Sequence, residues 1–295
     1  MLDGKLETFL VVAQCGSYTK AAEQLHFTQP AITQQIRRLE EAYGCALVEF
    51  HGRSFVLTAE GEALLEYAKI QKANERRLRE KLSHMVHPLR VGATLSIADY
   101  YLPHRLKRAM AQPGFCLRVE VGNTKTLLDR MLEGQLDCGL IEGMFDESLF
   151  EAIPFCQAAF LPVVRGGHPL AKQEVPLEAL YPYPVLLREK GSGTRAILEH
   201  HLASKNSSVL AFEKQMEAGS FLLLKKLLEE SDAVSFLYEK VVEAECKSGT
   251  LAPVFVPDFP LYRQMHFVYA KGSLASGACK TFFSYLTPIV TEEKM

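Results

Sequence analysis

The sequence predicts an α+β multidomain chain: an N-terminal winged helix-turn-helix, a long linker helix and a C-terminal two-lobed α/β domain. Three observations carry this. Apolar residues recur at helical spacing, with no extended strand run, until Leu47. Residues 59 to 86 have neither proline nor strand pattern, and from Leu89 onward strand-like and helical runs alternate. A length of 295 residues suits two domains at ~150 residues each, and 48 % hydrophobic residues supply at least one sizeable core. The expected divisions are 1–58, 59–87 and 88–295, the last with lobe I at about 88–162 and 266–295 and lobe II at about 163–265.

In the first part, Leu6, Phe9, Leu10 and Ala13 share a helical face that stops at Gly16. Ser17 can cap a second helix, Thr19 to Leu25, with Ala21, Ala22 and Leu25 inward. After the break at His26-Phe27, Thr28 stands where an N-cap belongs, and Pro30 follows in the first turn, where a missing N–H costs nothing. Ile32, Ile36 and Leu39 form the buried stripe of a third helix ending near Gly44. Two helices joined this tightly make a helix-turn-helix. Leu47 to Phe50 and Phe55 to Leu57 flank His51-Gly52-Arg53-Ser54 as a hairpin wing.

In the linker, Leu64, Ala68, Leu78, Leu82 and Met85 fall on a 4-3 spacing, with Gln71 and Glu75 at the intermediate seam positions. That spacing suits pairing with a second copy; the alternative is a helix docked on its own domain. Beyond it, strands are expected at Leu89–Ala93, Leu117–Val121, Cys138–Ile141, Val185–Leu187, Ala233–Leu237 and Phe267–Ala270. Helices are expected at Ala98–Met110, Lys125–Leu132, Thr194–Ala203, Gly219–Glu229 and Ala275–Leu286. Such alternation implies a parallel sheet covered on both faces. Prolines between Ala152 and Pro184 mark the passage into a second lobe, and Pro253, Pro257 and Pro260 the return.

Composition narrows the function. With 33 basic against 35 acidic residues the net charge is −2, so no global positive field draws the chain onto polyanions. A local DNA-binding surface stays open, although residues 1–58 hold one more acidic than basic side chain. Seven scattered cysteines without a C-x-x-C pair read as reduced, mostly buried thiols in a cytoplasmic protein. No secretion signal is recognised, and no stretch approaches the ~18 apolar residues that span a bilayer.

Two groups of residues carry chemistry. On the third helix, Gln29, Thr33, Gln34 and Arg37 lie opposite the buried stripe. A Gln amide pairs bidentately with adenine and an Arg fork with guanine, while Pro30 offers an apolar face to a thymine methyl. Ser17, Thr19 and Lys20 can meet phosphate, and Arg53 at the hairpin tip suits a minor groove. In the α/β part, ligands lie beyond the carboxyl ends of strands. Thr94 and Ser96, Asn123 and Thr124, and Glu142 stand there, either as ligand groups or as plain helix caps. The sharper segment is Gly191-Ser192-Gly193-Thr194-Arg195, which follows a strand and opens a helix. Ser192, Gly193, Thr194 and Arg195 combine close backbone approach, hydroxyls, a helix N-terminus and a guanidinium, and so suit a small anion. The alternative is a capped loop whose Arg195 bridges to a neighbouring carboxylate. The spacing fits neither a Walker loop nor G-x-G-x-x-G. No catalytic motif or metal-spaced cluster is present, and His200-His201 point ~100° apart on a helix. No cofactor and no metal are expected.

Ala21-Ala22-x-x-Leu25 with Thr28-Gln29-Pro30-Ala31-Ile32-Thr33-x-x-Ile36-x-x-Leu39-Glu40 and Leu57-Thr58-x-x-Gly61 resembles the winged helix of LysR-type transcriptional regulators. The resemblance implies a cytoplasmic, non-enzymatic regulator with a dimerising linker and an effector domain like the type 2 periplasmic binding proteins. Its DNA-contacting positions fall on Gln29, Pro30, Thr33, Gln34, Arg37 and Arg53. Gly191 to Arg195, with Gly122-Asn123-Thr124 and Leu140-Ile141-Glu142-Gly143, is similar to the branch that regulates sulfur assimilation and carbon fixation, which implies an anionic effector. Expected partners are promoter or operator double-stranded DNA, that effector, a second copy in a homodimer, homotetramers as pairs of dimers, and RNA polymerase; no membrane is expected. An enzyme acting on a small carboxylate, built on the binding-protein fold, is the competing class. One position departs: the family's Phe-x-Arg before the wing reads Val48-Glu49-Phe50, which implies a weaker grip on the DNA backbone.

Overall fold

The computed structural model describes residues 3–51, 54–83 and 87–287. It contains two compact units, Met1–His87 with Arg130–Leu136 and Gly272–Ser276, and the remainder. In the first unit, α1 (Gly4–Cys15) closes on Gly16 in the left-handed region, its N–H returning to the Val12 carbonyl. The Ser17 hydroxyl oxygen accepts from the Lys20 N–H at the start of α2 (Tyr18–Leu25). Thr28 stands at the N-cap of α3 (Gln29–Tyr43) without a side-chain hydrogen bond, and Pro30 lies in its first turn. Phe9, Val12, Ala21, Ala22, Ile32, Ile36, Leu39 and Leu47 close one core between these helices and the wing. The wing is β1 (Val48–His51) paired antiparallel with β2 (Ser54–Leu57).

The Leu-Thr-x-x-Gly segment has a physical explanation. Thr58 is the N-cap of α4 (Ala59–Leu82), accepting from the Gly61 N–H at 2.9 Å and donating to the Ala46 carbonyl at 2.7 Å. A side-chain carbon at Gly61 would stand 2.1 Å from the Leu47 carbonyl oxygen. Only glycine allows α4 to start this close to the wing. Farther along, Leu64 joins the winged core and Ala68 is fully buried, so the first half of α4 docks on its own domain. Leu78 and Leu82 are 46 % and 66 % exposed, while Met85 lies outside the described residues.

The second unit begins with β3 (Leu89–Thr94), a π-type turn at Ile97–Tyr101 and α5 (Pro103–Met110). Then come β4 (Leu117–Gly122), α6 (Thr124–Leu132), β5 (Cys138–Ile141) and β6 (Phe150–Arg165). The other lobe holds β7 (Val185–Leu187), α7 (Gly193–Ser204), β8 (Gln215–Glu217) and α8 (Phe221–Glu229). It continues with β9 (Val234–Tyr238), α9 (Glu239–Ser248) and β10 (Leu251–Pro253). Finally β11 (Leu261–Ala270) and α10 (Ser276–Leu286) return to the first lobe. The strand order is β4-β3-β5-β11-β6-β9-β7-β8, with β10 on β6.

The sheet is mixed, which corrects the all-parallel expectation. β3 pairs in parallel with β4 and β5, and β7 with β8 and β9. The two long strands β6 and β11 are antiparallel to each other, to β5 and to β9. Strand β6 runs 16 residues through the stretch whose prolines read as a connection. Pro154 sits opposite a register shift between Met265 and His266, where a missing N–H is tolerated. The chain therefore passes between lobes inside a paired strand. Phe150 to Pro154 align with Ala270 to His266, and Phe160 to Val163 align with β9.

Among the described residues no helix is long and apolar enough to cross a membrane. Of the seven cysteines only Cys138 and Cys279 are buried and Cys116 is exposed, so burial of the thiols is less general than the sequence suggests.

Candidate functional site

The apolar stripe of α3 fixes which residues face outward. With Ile32, Ile36 and Leu39 buried, Gln29, Pro30, Gln34 and Arg37 are exposed and Thr33 is half-buried. Thr33 donates its hydroxyl to the Gln29 carbonyl at 3.0 Å, so it steadies the first turn of the helix that carries it. Gln35 turns the other way and accepts from Thr8 at 2.6 Å. Glu40 accepts the Leu47 N–H at 2.9 Å, anchoring α3 to the wing. Lys20 is exposed beside the half-buried Ser17. Arg53 lies outside the described residues.

Phe50 is 58 % exposed and stacks on Tyr18 at 5.8 Å between ring centres, with Phe55 edge-on. Burial and Glu40 push the Tyr18 hydroxyl up, while the Arg37 charge opposes them. Phe50 thus adds packing where an arginine would add a phosphate contact. Phe50→Arg is expected to steepen the slope of log K against log salt by about 0.9, at roughly 0.5–1.5 kcal/mol of lost ring contact. Binding measured across a salt series checks this, and an unchanged slope contradicts it.

In the two-lobed unit the predicted residues converge on Glu142, just past the end of β5. Its Oε1 accepts from Ser96 at 2.8 Å and from Thr194 at 2.9 Å, and its backbone carbonyl accepts from Thr124 at 2.8 Å. Thr194 comes from α7, so this carboxyl group ties the lobes together. The approach depends on glycine. A side-chain carbon at Gly193 would stand 2.5 Å from the Glu142 carbonyl oxygen, and one at Gly143 would stand 3.0 Å from the Gly193 Cα. Gly143 also has φ +89°, a conformation that disfavours any side chain.

Glu142 is 2 % exposed and, among the described residues, makes no ion pair. Its Oε2 and the Tyr238 hydroxyl are both buried, neither within 3.5 Å of a hydrogen-bond partner but close enough to act on each other, and Thr94 Oγ1 is buried without a partner. Burial drives the Glu142 value upward against smaller lowering effects from Ser96, Thr194, the Arg188 charge and Tyr238. A carboxyl group without a paired cation in such surroundings holds its proton more tightly than one in water. Burial, followed by Glu142, likewise pushes Tyr238 far up, with Arg263 pulling back.

Other predicted residues are placed differently. Asn123 Oδ1 accepts from the Thr126 N–H at 2.9 Å, so it caps α6. Ser192 is buried at the N-cap of α7 with no side-chain capping bond. Arg195 departs from the anion-fork expectation. Its Nε donates to Glu199 at 2.7 Å, and its Nη1 to Glu217 and, at 3.3 Å, to the Arg188 carbonyl. Both carboxylates lie in its own lobe, so Arg195 already bridges to neighbouring carboxylates, as the bridging alternative has it. Sequence reasoning missed Tyr238 and Arg263. Tyr238 is the last residue of β9, and extending the strand-end rule to that lobe would have found it. Arg263 sits in the half of β11 that the sequence pattern left unassigned.

Comparison with known proteins fits this geometry. Residues 4–62 match the bacterial regulatory helix-turn-helix protein family, lysR type, and residues 84–288 match the LysR substrate binding domain. The chain is 31 % identical to the HTH-type transcriptional activator CmpR of Synechocystis, covering 96 % of this chain and 93 % of that one. It is 33 % identical to a RuBisCO operon transcriptional regulator of Acidithiobacillus ferrooxidans, covering 96 % and 92 %. The CcmR regulatory domain of Synechocystis, solved with 2-PG, shares the fold with a TM-score of 0.62 at 23 % identity, over 70 % of this chain and 98 % of that one. An outward-facing recognition helix on a wing, followed by a two-lobed effector-binding domain and matched along nearly the whole length by these relatives, makes the chain a member of the LysR family of transcriptional regulators.

Proposed function

We propose that this regulator reads operator DNA through Gln29, Pro30, Thr33, Gln34 and Arg37, with Ser17 and Lys20 on phosphate and Arg53 in a minor groove. The observation that carries the reading is the exposed Gln/Arg face of α3 opposite a fully buried stripe. The protein works in the cytoplasm as a homodimer, with homotetramers formed as pairs of dimers, and meets RNA polymerase at the promoter. Linker residues Leu78 and Leu82, exposed on α4, suit the dimer contact.

The controlling ligand is a small anion held between the lobes, where Ser96, Thr124, Glu142 and Thr194 meet and Thr94, Asn123, Ser192, Gly193 and Arg195 surround or brace them. The 2-PG complex of the CcmR regulatory domain, a protein of the same fold, supports an anionic ligand of this size. By binding both lobes the effector favours the closed state and changes the angle between linker helices, hence the spacing of half-sites. The test is binding to the promoter beside the protein's own gene, with and without 2-PG, sulfate and short carboxylates. A specific complex whose footprint changes with one of these anions is expected. Equal affinity for operator and random duplex would refute the reading.

A further inference from the structure

We propose that Arg263, rather than Arg195, supplies the positive charge for the effector, and that the ligand is a small organic acid whose apolar body rests on Met144 and Ile197. The inference rests on the anionic-effector reading above and locates its charge partner. A cavity of about 220 Å³ opens beside the Gly143–Gly193 contact, lined by Met144, Ile197, His200, Arg263, Gln264 and His266 among others. Three elements build it: the turn after β5, the outer face of α7, and the crossing strand β11. An occupant therefore touches both lobes and the strand that joins them.

Its polar atoms call for an acceptor. Arg263 lines the cavity as a half-buried guanidinium, and among the described residues no Asp or Glu lines it. A guanidinium facing a cavity without an acidic neighbour is met best by an oxyanion. Arg263 makes no ion pair among the described residues, whereas Arg195 is paired with Glu199 and Glu217 and Arg188 with Glu189. Gly143, which lines the cavity, follows Glu142 and packs on Gly193, so the cavity abuts the hydroxyl cluster around Glu142. Met144 and Ile197 give the remaining wall an apolar character, which a bare inorganic ion would leave unused. The volume lies below the ~300–1,000 Å³ of drug-sized sites, which sets the ligand at a few carbon atoms.

The test is calorimetric titration of the full-length protein with sulfate, propionate and 2-PG, comparing wild type with Arg263→Gln, Arg263→Lys and His200→Trp. His200 is exposed, so a larger ring there fills the cavity from its mouth without disturbing the core. The expected result is that an organic acid binds wild type more tightly than sulfate does. Arg263→Gln should weaken it by about ten- to a hundredfold, Arg263→Lys by less, and His200→Trp should block it. Binding of the acids to Arg263→Gln and His200→Trp at wild-type affinity would overturn this inference while leaving the anionic-effector reading intact. Sulfate binding more tightly than both acids would overturn the ligand class. Failure of all three probes to bind wild type would overturn the anionic reading, and the inference with it.

Discussion

Replacing Gln29 and Arg37 together by alanine is expected to erase the preference for operator over random duplex while leaving salt-dependent binding in place. Both side chains are exposed, and neither belongs to the core that Phe9, Val12, Ile32 and Ile36 close, so the fold should survive. Each bidentate base contact carries about 1–3 kcal/mol of discrimination, so losing two approaches the whole specific increment of a small reading head. Lys20→Ala should act differently. A lost phosphate contact weakens all sequences alike and lowers the salt slope by about one. Fluorescence anisotropy against operator and scrambled duplex separates the two effects. An unchanged operator preference in the double variant would mean that α3 does not read bases.

The second large effect concerns Glu142. Replacement by alanine removes the acceptor for both Ser96 and Thr194 and opens a hole between lobes, at a cost of about 2–4 kcal/mol. Glutamine keeps the size and one acceptor, so it should cost far less. The pH dependence distinguishes a neutral acid from a carboxylate. In the unfolded chain Glu142 ionises near its ordinary value of 4.5, whereas burial raises it in the folded state. Between those two values the unfolded chain has released a proton that the folded chain still holds. Stability therefore falls as pH rises through this window, by up to about 1.4 kcal/mol per unit. Glu142→Gln has no such proton, so its stability relative to wild type should climb as pH rises above about 4.5. Urea midpoints at several pH values measure the difference. Parallel curves would show that the Glu142 carboxyl is ionised in the fold.

The winged part was legible almost residue by residue, because its signals are local. Gly16, Ser17, Thr28 and Pro30 each mark a helix end through their own backbone or side-chain chemistry. Strand β6 was illegible for the opposite reason. Its two prolines contradict strand formation locally, and only the long-range pairing with β11 across a bulge accommodates Pro154. In the cleft, Ser96, Thr124, Glu142 and Thr194 were found because helix starts and strand ends are readable positions. The occupancy of Arg195 was not readable. Glu199 lies one helical turn away and could have been guessed, but Glu217 comes from β8, whose pairing beside β7 no local pattern announced. Tyr238 and Arg263 matter through neighbours from other strands and loops, which exist only once the sheet is assembled.

The docking of α4 on its own winged core has a mechanical consequence. With Thr58, Gly61, Leu64 and Ala68 clamped, the helix cannot swivel freely about its first turns. Its 24 residues make a rod about 36 Å long at 1.5 Å per residue. A tilt of roughly 10° applied at Leu82 would therefore travel undamped to the reading head. Torque on the far end is converted into displacement at the groove, with no flexible joint in between to absorb it.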